Sequence, residues 1–181
     1  ISKAALENET FRYVACKPNY YIAPTNKDKH GKELWNHHKM VKRTMFNYDG
    51  VEGGKTGYTT KAGGTLVTFA KRGDQELIVV DLCAHGYELY EDTIKMLNYG
   101  FNNYKTIAPF KTMNTVLKDD TYGFLKTGNE LSPYKIPLKH LNDVTVMLEK
   151  KQSASKLTYK CKDNKYIISY DGKQIGSVKL Y

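Results

Sequence analysis

Several things are scarce or missing in this sequence, and each absence excludes something. No apolar run approaches the roughly 20 residues that a helix needs to cross a bilayer, and no signal peptide opens the chain. Only three of the 181 residues are cysteine, Cys16, Cys83 and Cys161. No two are close enough for a Cys-x-x-Cys site, and the odd number argues against a disulfide framework while leaving room for a single bridge. No block of five or more like charges occurs, nor any internal repeat or low-complexity tract. No initiator methionine stands before Ile1. The expectation is therefore a fragment or a processed product, with any targeting signal outside it.

What remains is ordinary for a soluble globular protein of one domain or one and a fraction: 40% hydrophobic and 26% charged residues. The formal net charge of +9 is compatible with nucleic acid, an anionic membrane surface or an anionic polymer such as cell wall. Because Lys and Arg are dispersed, the simplest reading is lysines spread over solvated faces. The 15 tyrosines fall in no aromatic-basic nucleic-acid motif, so nucleic acid is not an expected partner. His30, His37, His38 and His85 do not make a metal pattern with Cys83. Adjacent histidines on a helix point about 100° apart, and no second pair stands at i, i+4. They read as surface or loop residues, and Cys83, directly after a β run, reads as buried and inert.

Residues 1–9 predict the tail of a helix. Residues 11–22 predict a strand pair or extended stretch around Lys17-Pro18-Asn19, residues 23–32 a loop, and residues 35–41 a short helix. The clearest segment is 48–82. Turn residues Asp49-Gly50 and Gly53-Gly54 lead into Lys55-Thr56-Gly57-Tyr58-Thr59-Thr60. Gly63-Gly64, the alternating run 65–70, the turn Lys71-Arg72-Gly73-Asp74 and a return strand over 76–82 complete a hairpin. A helix follows over 87–101, with Leu89, Thr93, Met96, Leu97 and Gly100 near a 3.6-residue period. Beyond residue 106 the pattern shifts to short β pieces over 112–117, 144–148, 157–161, 166–170 and 177–181, which predicts a second, smaller all-β domain.

The stretch Asp49-Gly50-Val51-Glu52-Gly53-Gly54-Lys55-Thr56-Gly57-Tyr58-Thr59-Thr60-Lys61-Ala62-Gly63-Gly64 resembles the active-site strand of the low-molecular-mass penicillin-binding proteins. These are serine D-alanyl-D-alanine carboxypeptidases. Tyr90-Glu91-Asp92-Thr93 and Leu97-Asn98-Tyr99-Gly100-Phe101 resemble the helix that closes their domain. The region 20–41 with Trp35-Asn36 resembles the stretch before the strand, and Gly172-Lys173-Gln174-Ile175-Gly176 the end of their small β domain. The likeness is dense over 48–101 and thin elsewhere.

The resemblance implies an α+β fold. An antiparallel hairpin and closing helix of a penicillin-binding/β-lactamase-like domain would occupy residues 1–105, and a small β-rich domain residues 106–181. It implies that Lys55 and Thr56 hold the substrate's terminal carboxylate, an ammonium and a hydroxyl side by side on a rigid strand. Strict alternation puts Lys55 and Gly57 on one face and Thr56 on the other; that both side chains reach the cleft is implied by the family alone. Gly57, without a side chain, lets substrate backbone approach, and the main-chain N–H of Tyr58 is implied as half of an oxyanion hole. No metal or organic cofactor is implied. The implied ligands are a peptidoglycan stem peptide and, in a complete enzyme, β-lactams. The implied location is extracytoplasmic, in the cell envelope.

The family's chemistry also needs a Ser-x-x-Lys and a Ser-x-Asn before the strand. No Ser-x-Asn occurs, and the two Ser-x-x-Lys matches, Ser132 to Lys135 and Ser153 to Lys156, follow the strand. Both read as chance, as does the repeated tripeptide Lys126-Thr127-Gly128. Glu88-Leu89 stands where many members carry an arginine that helps to hold the carboxylate, so another basic residue is needed there or carboxylate binding is weaker. The expectation is a chain that carries the strand and needs a missing N-terminal catalytic segment for its nucleophile. The competing reading is a non-catalytic module that binds wall peptides or a protein partner.

Overall fold

The computed structural model describes residues 1–41, 45–108, 144–163 and 165–179, and the backbone of four strand segments between 115 and 137. The chain is mixed α+β with antiparallel sheets. It divides into two compact units, Ile1–Asn102 and Asn103–Tyr181.

The first unit opens with helices α1 (Ser2–Leu6) and α2 (Glu9–Ala15). Asn8 caps α2, its side chain accepting from the Phe11 N–H at 2.9 Å, and Glu9 adds a carboxylate to the first turn. This local cap overrides the β-favouring side chains of Phe11, Tyr13 and Val14, so the extended structure expected from residue 11 begins only at strand β1 (Asn19–Ile22), after Pro18. Strand β2 (Lys32–Trp35) pairs with it, and the helix expected over 35–41 contracts to one 3-10 turn at Lys39–Val41.

Strands β3 (Val51–Thr59), β4 (Gly63–Arg72) and β5 (Gln75–Ala84) form an antiparallel meander in that order. Gly73, at φ +57°, turns β4 into β5. Helix α3 (Glu88–Asn103) buries Tyr90, Thr93, Leu97 and Phe101 along one stripe, the spacing of a helix with one apolar face. That stripe packs with Met40, Phe46, Leu66, Ala70 and Val79 as the unit's core. Each large side chain so buried stabilises the fold by roughly 1.5–3 kcal/mol. On the face of the sheet away from that core, Phe11 meets Phe69 edge-on, centroids 6.4 Å apart. Arg12 ties α2 to two strands through Glu52, at 2.5 Å, and Glu76.

Three of the expectations from sequence need correction. His38 is completely buried, because the residue before the 3-10 turn sends its ring between Gly54 and Thr68 of the sheet and Tyr90 of α3. Cys83 is exposed and at φ +63°. The pairing Gly64↔Ala84 steps to Thr65↔Leu82, so Cys83 is the extra residue of a bulge, not an inward strand position. Met96, expected on the buried stripe, is 40% exposed, one step off the row that Thr93 and Leu97 define.

In the second unit β6 (Tyr104–Ile107) pairs with β11 (Val146–Glu149). Strands β7 (Thr115–Leu117), β8 (Tyr122–Thr127), β9 (Glu130–Leu131) and β10 (Ile136–Pro137) form a small sheet around β8. Strands β12 (Leu157–Lys162), β13 (Lys165–Tyr170) and β14 (Lys173–Lys179) make a second antiparallel meander.

Candidate functional site

The site is built from the edge of the first meander. Strand β3 has one neighbour, β4, so every second backbone N–H and C=O points away from the sheet. It can lie close to what surrounds it because its glycines leave room. A Cβ on Gly54 would stand 2.0 Å from the Val67 carbonyl oxygen and 2.7 Å from the His38 ring. A Cβ on Gly57 would stand 2.5 Å from the Thr65 hydroxyl, so Gly57 also has a packing role against β4.

His38 underpins this strand. Its Nε2 lies 2.9 Å from the Thr68 hydroxyl, and its ring meets Tyr90 edge-on with centroids 6.1 Å apart. Burial disfavours the charged imidazole and pushes its pKa down to about 4, so the ring is neutral near pH 7.

Cross-strand pairs fix which way the motif points. Thr56 faces Leu66 and Lys55 faces Val67, so their side chains leave opposite faces of the sheet. Thr56, Gly57 and Tyr58 line a cleft of about 370 Å³, closed by residues 84–87 after β5 and by Leu89 and Tyr90 at the start of α3. Lys55 is not among the lining residues. It lies exposed on the other face, and its ammonium donates to the Thr56 carbonyl at 2.5 Å. That second face is open and apolar towards β5, where Val80 is 49% and Leu82 67% exposed.

Lys39 also lines the cleft, its ammonium 4.2 Å from the centroid of the Tyr87 ring. Sequence reasoning passed over it. It belongs to no motif and reaches the cleft only because the 3-10 turn packs against β3. Of the decoys, Ser153 caps the 3-10 turn Ala154–Lys156 by accepting from the Ser155 N–H. Lys156 instead donates to Asp171 at 3.0 Å. Lys126 and Thr127 end strand β8 in the second unit, while Gly128, Ser132 and Lys135 lie outside the described residues. Among the described residues no group of three His, Cys, Asp or Glu side chains could hold a metal ion, and no helix is long and apolar enough to cross a membrane.

No protein-family model matches the chain. Solved structures give the fold. Penicillin binding protein 5 from Haemophilus influenzae superposes with a TM-score of 0.60 over 98% of this chain and 52% of that one, at 22% identity. Penicillin binding protein 6B from Escherichia coli gives 0.55 over 99% and 46%, at 19% identity. A variant of the Streptomyces K15 DD-transpeptidase gives 0.50 over 56% and 39%, at 28% identity. The class is thus a mixed α+β chain with the antiparallel sheets of penicillin-binding protein folds.

Sequence relatives narrow it. D-alanyl-D-alanine carboxypeptidase DacF of Bacillus subtilis is 29% identical over 154 residues, 82% of this chain and 37% of that protein. D-alanyl-D-alanine carboxypeptidase DacC of Escherichia coli is 35% identical over 77 residues, 42% of this chain and 18% of that protein. The chain is homologous to D-alanyl-D-alanine carboxypeptidases over a C-terminal-like portion of them. It spans little more than a third of the longer-matching relative.

Proposed function

We propose that this chain is the part of a serine-type D-alanyl-D-alanine carboxypeptidase that carries substrate recognition. Residues 1–105 would be the C-terminal portion of the penicillin-binding/β-lactamase-like domain and residues 106–181 its small β domain. The observation that carries the reading is the cleft: Thr56, Gly57 and Tyr58 line one cavity with Lys39 and the loop into α3. A stem peptide ending in a free carboxylate needs a hydroxyl, a nearby cation and a side-chain-free strand on which to lie. Thr56, Lys39 and Gly57 supply these, and Lys39 takes up the carboxylate-holding work where Glu88-Leu89 replaces the arginine.

The Tyr58 N–H would polarise the scissile carbonyl, a contribution of about 3 kcal/mol when such a donor is aimed at the oxyanion. Lys55 leaves the opposite face of β3, and its long side chain would reach round the free edge of the strand to the cleft. There the middle motif and the nucleophile, contributed by residues outside this chain, would complete the site. The open apolar surface around Val80 and Leu82 suits the packing of that remainder. The complete enzyme would act at the cell envelope on peptidoglycan peptides through an acyl-enzyme that water hydrolyses, and β-lactams would trap the same serine.

In the complete protein, Lys55→Ala should lower turnover of a D-alanyl-D-alanine peptide by about a hundredfold, on the order of 3 kcal/mol, while Lys126→Ala leaves it unchanged. The chain alone should form no covalent adduct with labelled penicillin, as read by intact mass. A crippling Lys126→Ala, or a stoichiometric adduct on Ser132 or Ser153, would sink the assignment.

A further inference from the structure

The charge of the chain is not shared evenly. Residues 103–181 hold 14 lysines against 7 acidic residues, so +7 of the +9 net charge belongs to the second unit. The meander β12-β13-β14 concentrates it. Register places Lys162 opposite Lys165 and Lys165 opposite Lys179, three ammonium-bearing positions in one row across three strands. Lys160 lies on the same face one step along β12, opposite Ile167, which in turn faces Ser177. All four lysines are exposed, and none of their side chains makes an ion pair or hydrogen bond with another described residue. The three strands contain no acidic residue. The nearest in sequence, Asp163, sits in the β12–β13 turn at φ +51° and pairs with none of the four among the described residues. The reverse face of the sheet is buried through Tyr166 and Ile168, at 2% and 1% exposure, so the lysines have only one side to occupy.

Like charges directly opposite one another destabilise a sheet. Neighbouring strands lie about 4.8 Å apart and alternate residues about 6.7 Å apart along a strand. The lysines therefore form a dense cationic strip with no counter-charge on its own strands, and hydroxyls from Thr158 and Ser177 share its face. We propose that this face binds a linear polyanion carrying phosphate groups along its length. A chain of that kind neutralises several lysines at once and releases its counterions, which makes binding strong at low salt and weak at high salt. The surface favours a hydrophilic chain over a lipid bilayer. It offers hydroxyls and no exposed aromatic wedge, and the one large exposed apolar side chain on these strands, Ile175, lies on β14 at the end away from Lys179. The inference does not depend on the carboxypeptidase reading.

The test uses the whole 181-residue chain with medium-chain inorganic polyphosphate as probe, and separately vesicles of phosphatidylcholine and phosphatidylglycerol. Binding to polyphosphate is expected, falling steeply with salt. The combined Lys162→Gln, Lys165→Gln and Lys179→Gln variant should lose on the order of tenfold or more. A variant with Lys150→Gln, Lys151→Gln and Lys173→Gln removes the same charge from the same unit outside the row and should bind nearly as wild type. If the triple in the row fails to fold, Lys165→Gln alone, at its centre, should still weaken binding several-fold while Lys173→Gln does not. Equal losses in row and control variants would reduce the effect to net charge and overturn the proposal. Vesicle binding without polyphosphate binding would overturn it in favour of a membrane surface.

Discussion

Glycine stands in a strand of the first meander where other atoms press against it, and in a strand of the last meander where no described residue does. A Cβ on Gly54 of β3 would collide with a backbone carbonyl at 2.0 Å, whereas one on Gly176 of β14 would meet no atom of the described residues within 4 Å. Both sheets have three antiparallel strands joined by tight turns. The first is hemmed in on both faces near β3, by His38 on one and by the α2 end around Cys16 on the other. The last uses one face for its core and presents the other to solvent with its lysines. A strand made thin by glycine marks close approach, and a strand made charged marks a surface, although the two share a backbone plan.

The sharpest way to break this contrast is to add one methyl group to each. Gly54→Ala should destabilise the first unit by more than about 3 kcal/mol, because the colliding atom belongs to the partner strand and cannot rotate away. Gly176→Ala should change stability by no more than about 0.5 kcal/mol. Trp35 is the only tryptophan and lies in β2, so denaturant melts followed by its fluorescence report on the first unit. Equal effects at the two positions would dissolve the distinction.

His38 gives the next effect. Its folded pKa of about 4 lies below the ordinary 6.5, so between those values the unfolded chain binds a proton that the folded one does not. Stability is therefore full above pH 6.5 and falls as the pH drops towards 4, by up to about 3 kcal/mol. His38→Gln should flatten that slope in Trp35-detected melts. An unchanged slope would mean that the titration comes from elsewhere.

A smaller effect separates the two units' ion pairs. Arg12 is about two-thirds covered and bonds Glu52 and Glu76, whose side chains are 34% and 38% exposed. Arg12→Ala should cost about 1 kcal/mol, partly recovered in the double variants with either glutamate. The Lys156–Asp171 pair of the second unit is 54% and 67% exposed, and its removal should leave the melting temperature unchanged. A comparable loss there would contradict the view that burial, not the number of pairs, sets the contribution.

These features were unequally legible in the sequence. The meander 51–84 and helix α3 could be read because alternation, turn glycines and a helical stripe agree over long stretches. The helix at the very start was legible, but α2 was not, since an asparagine cap outweighed β-favouring side chains, and one capping bond is invisible to periodicity. Lys55, Thr56, Gly57 and Tyr58 stood out as a motif. Alternation sets Lys55 and Thr56 on opposite faces, and Lys55 does not line the cleft, whereas the family resemblance implied that both side chains reach it. Lys39 carried no signal, because its place beside Thr56 is set by the packing of a turn against β3. The histidine run gave no hint that His37 faces solvent while His38 is buried. The lysine row was hidden for a similar reason. Lys160 and Lys162 alternate visibly, but Lys165 and Lys179 join them only through two hairpin registers.

The smallest expected effect tests that row in the absence of any ligand. Lys165 faces Lys162 on one side and Lys179 on the other, so Lys165→Gln removes two like-charge contacts while keeping a long polar side chain on the exposed face. Repulsion between opposed like charges on a sheet is worth a few tenths of a kcal/mol per pair. The variant should therefore be more stable than wild type by about 0.5 kcal/mol at low ionic strength. Screening shortens from about 30 Å at 0.01 M salt to about 3 Å at 1 M, so the gain should vanish at high salt. Lys160→Gln, whose cross-strand neighbour is Ile167, should give a smaller gain under the same conditions. Thermal melts of the β signal in far-ultraviolet circular dichroism at both salt concentrations make the measurement. A stabilisation that persists at high salt would point to β propensity in place of charge, and a loss of stability at low salt would mean that the row is not repulsive as the register implies.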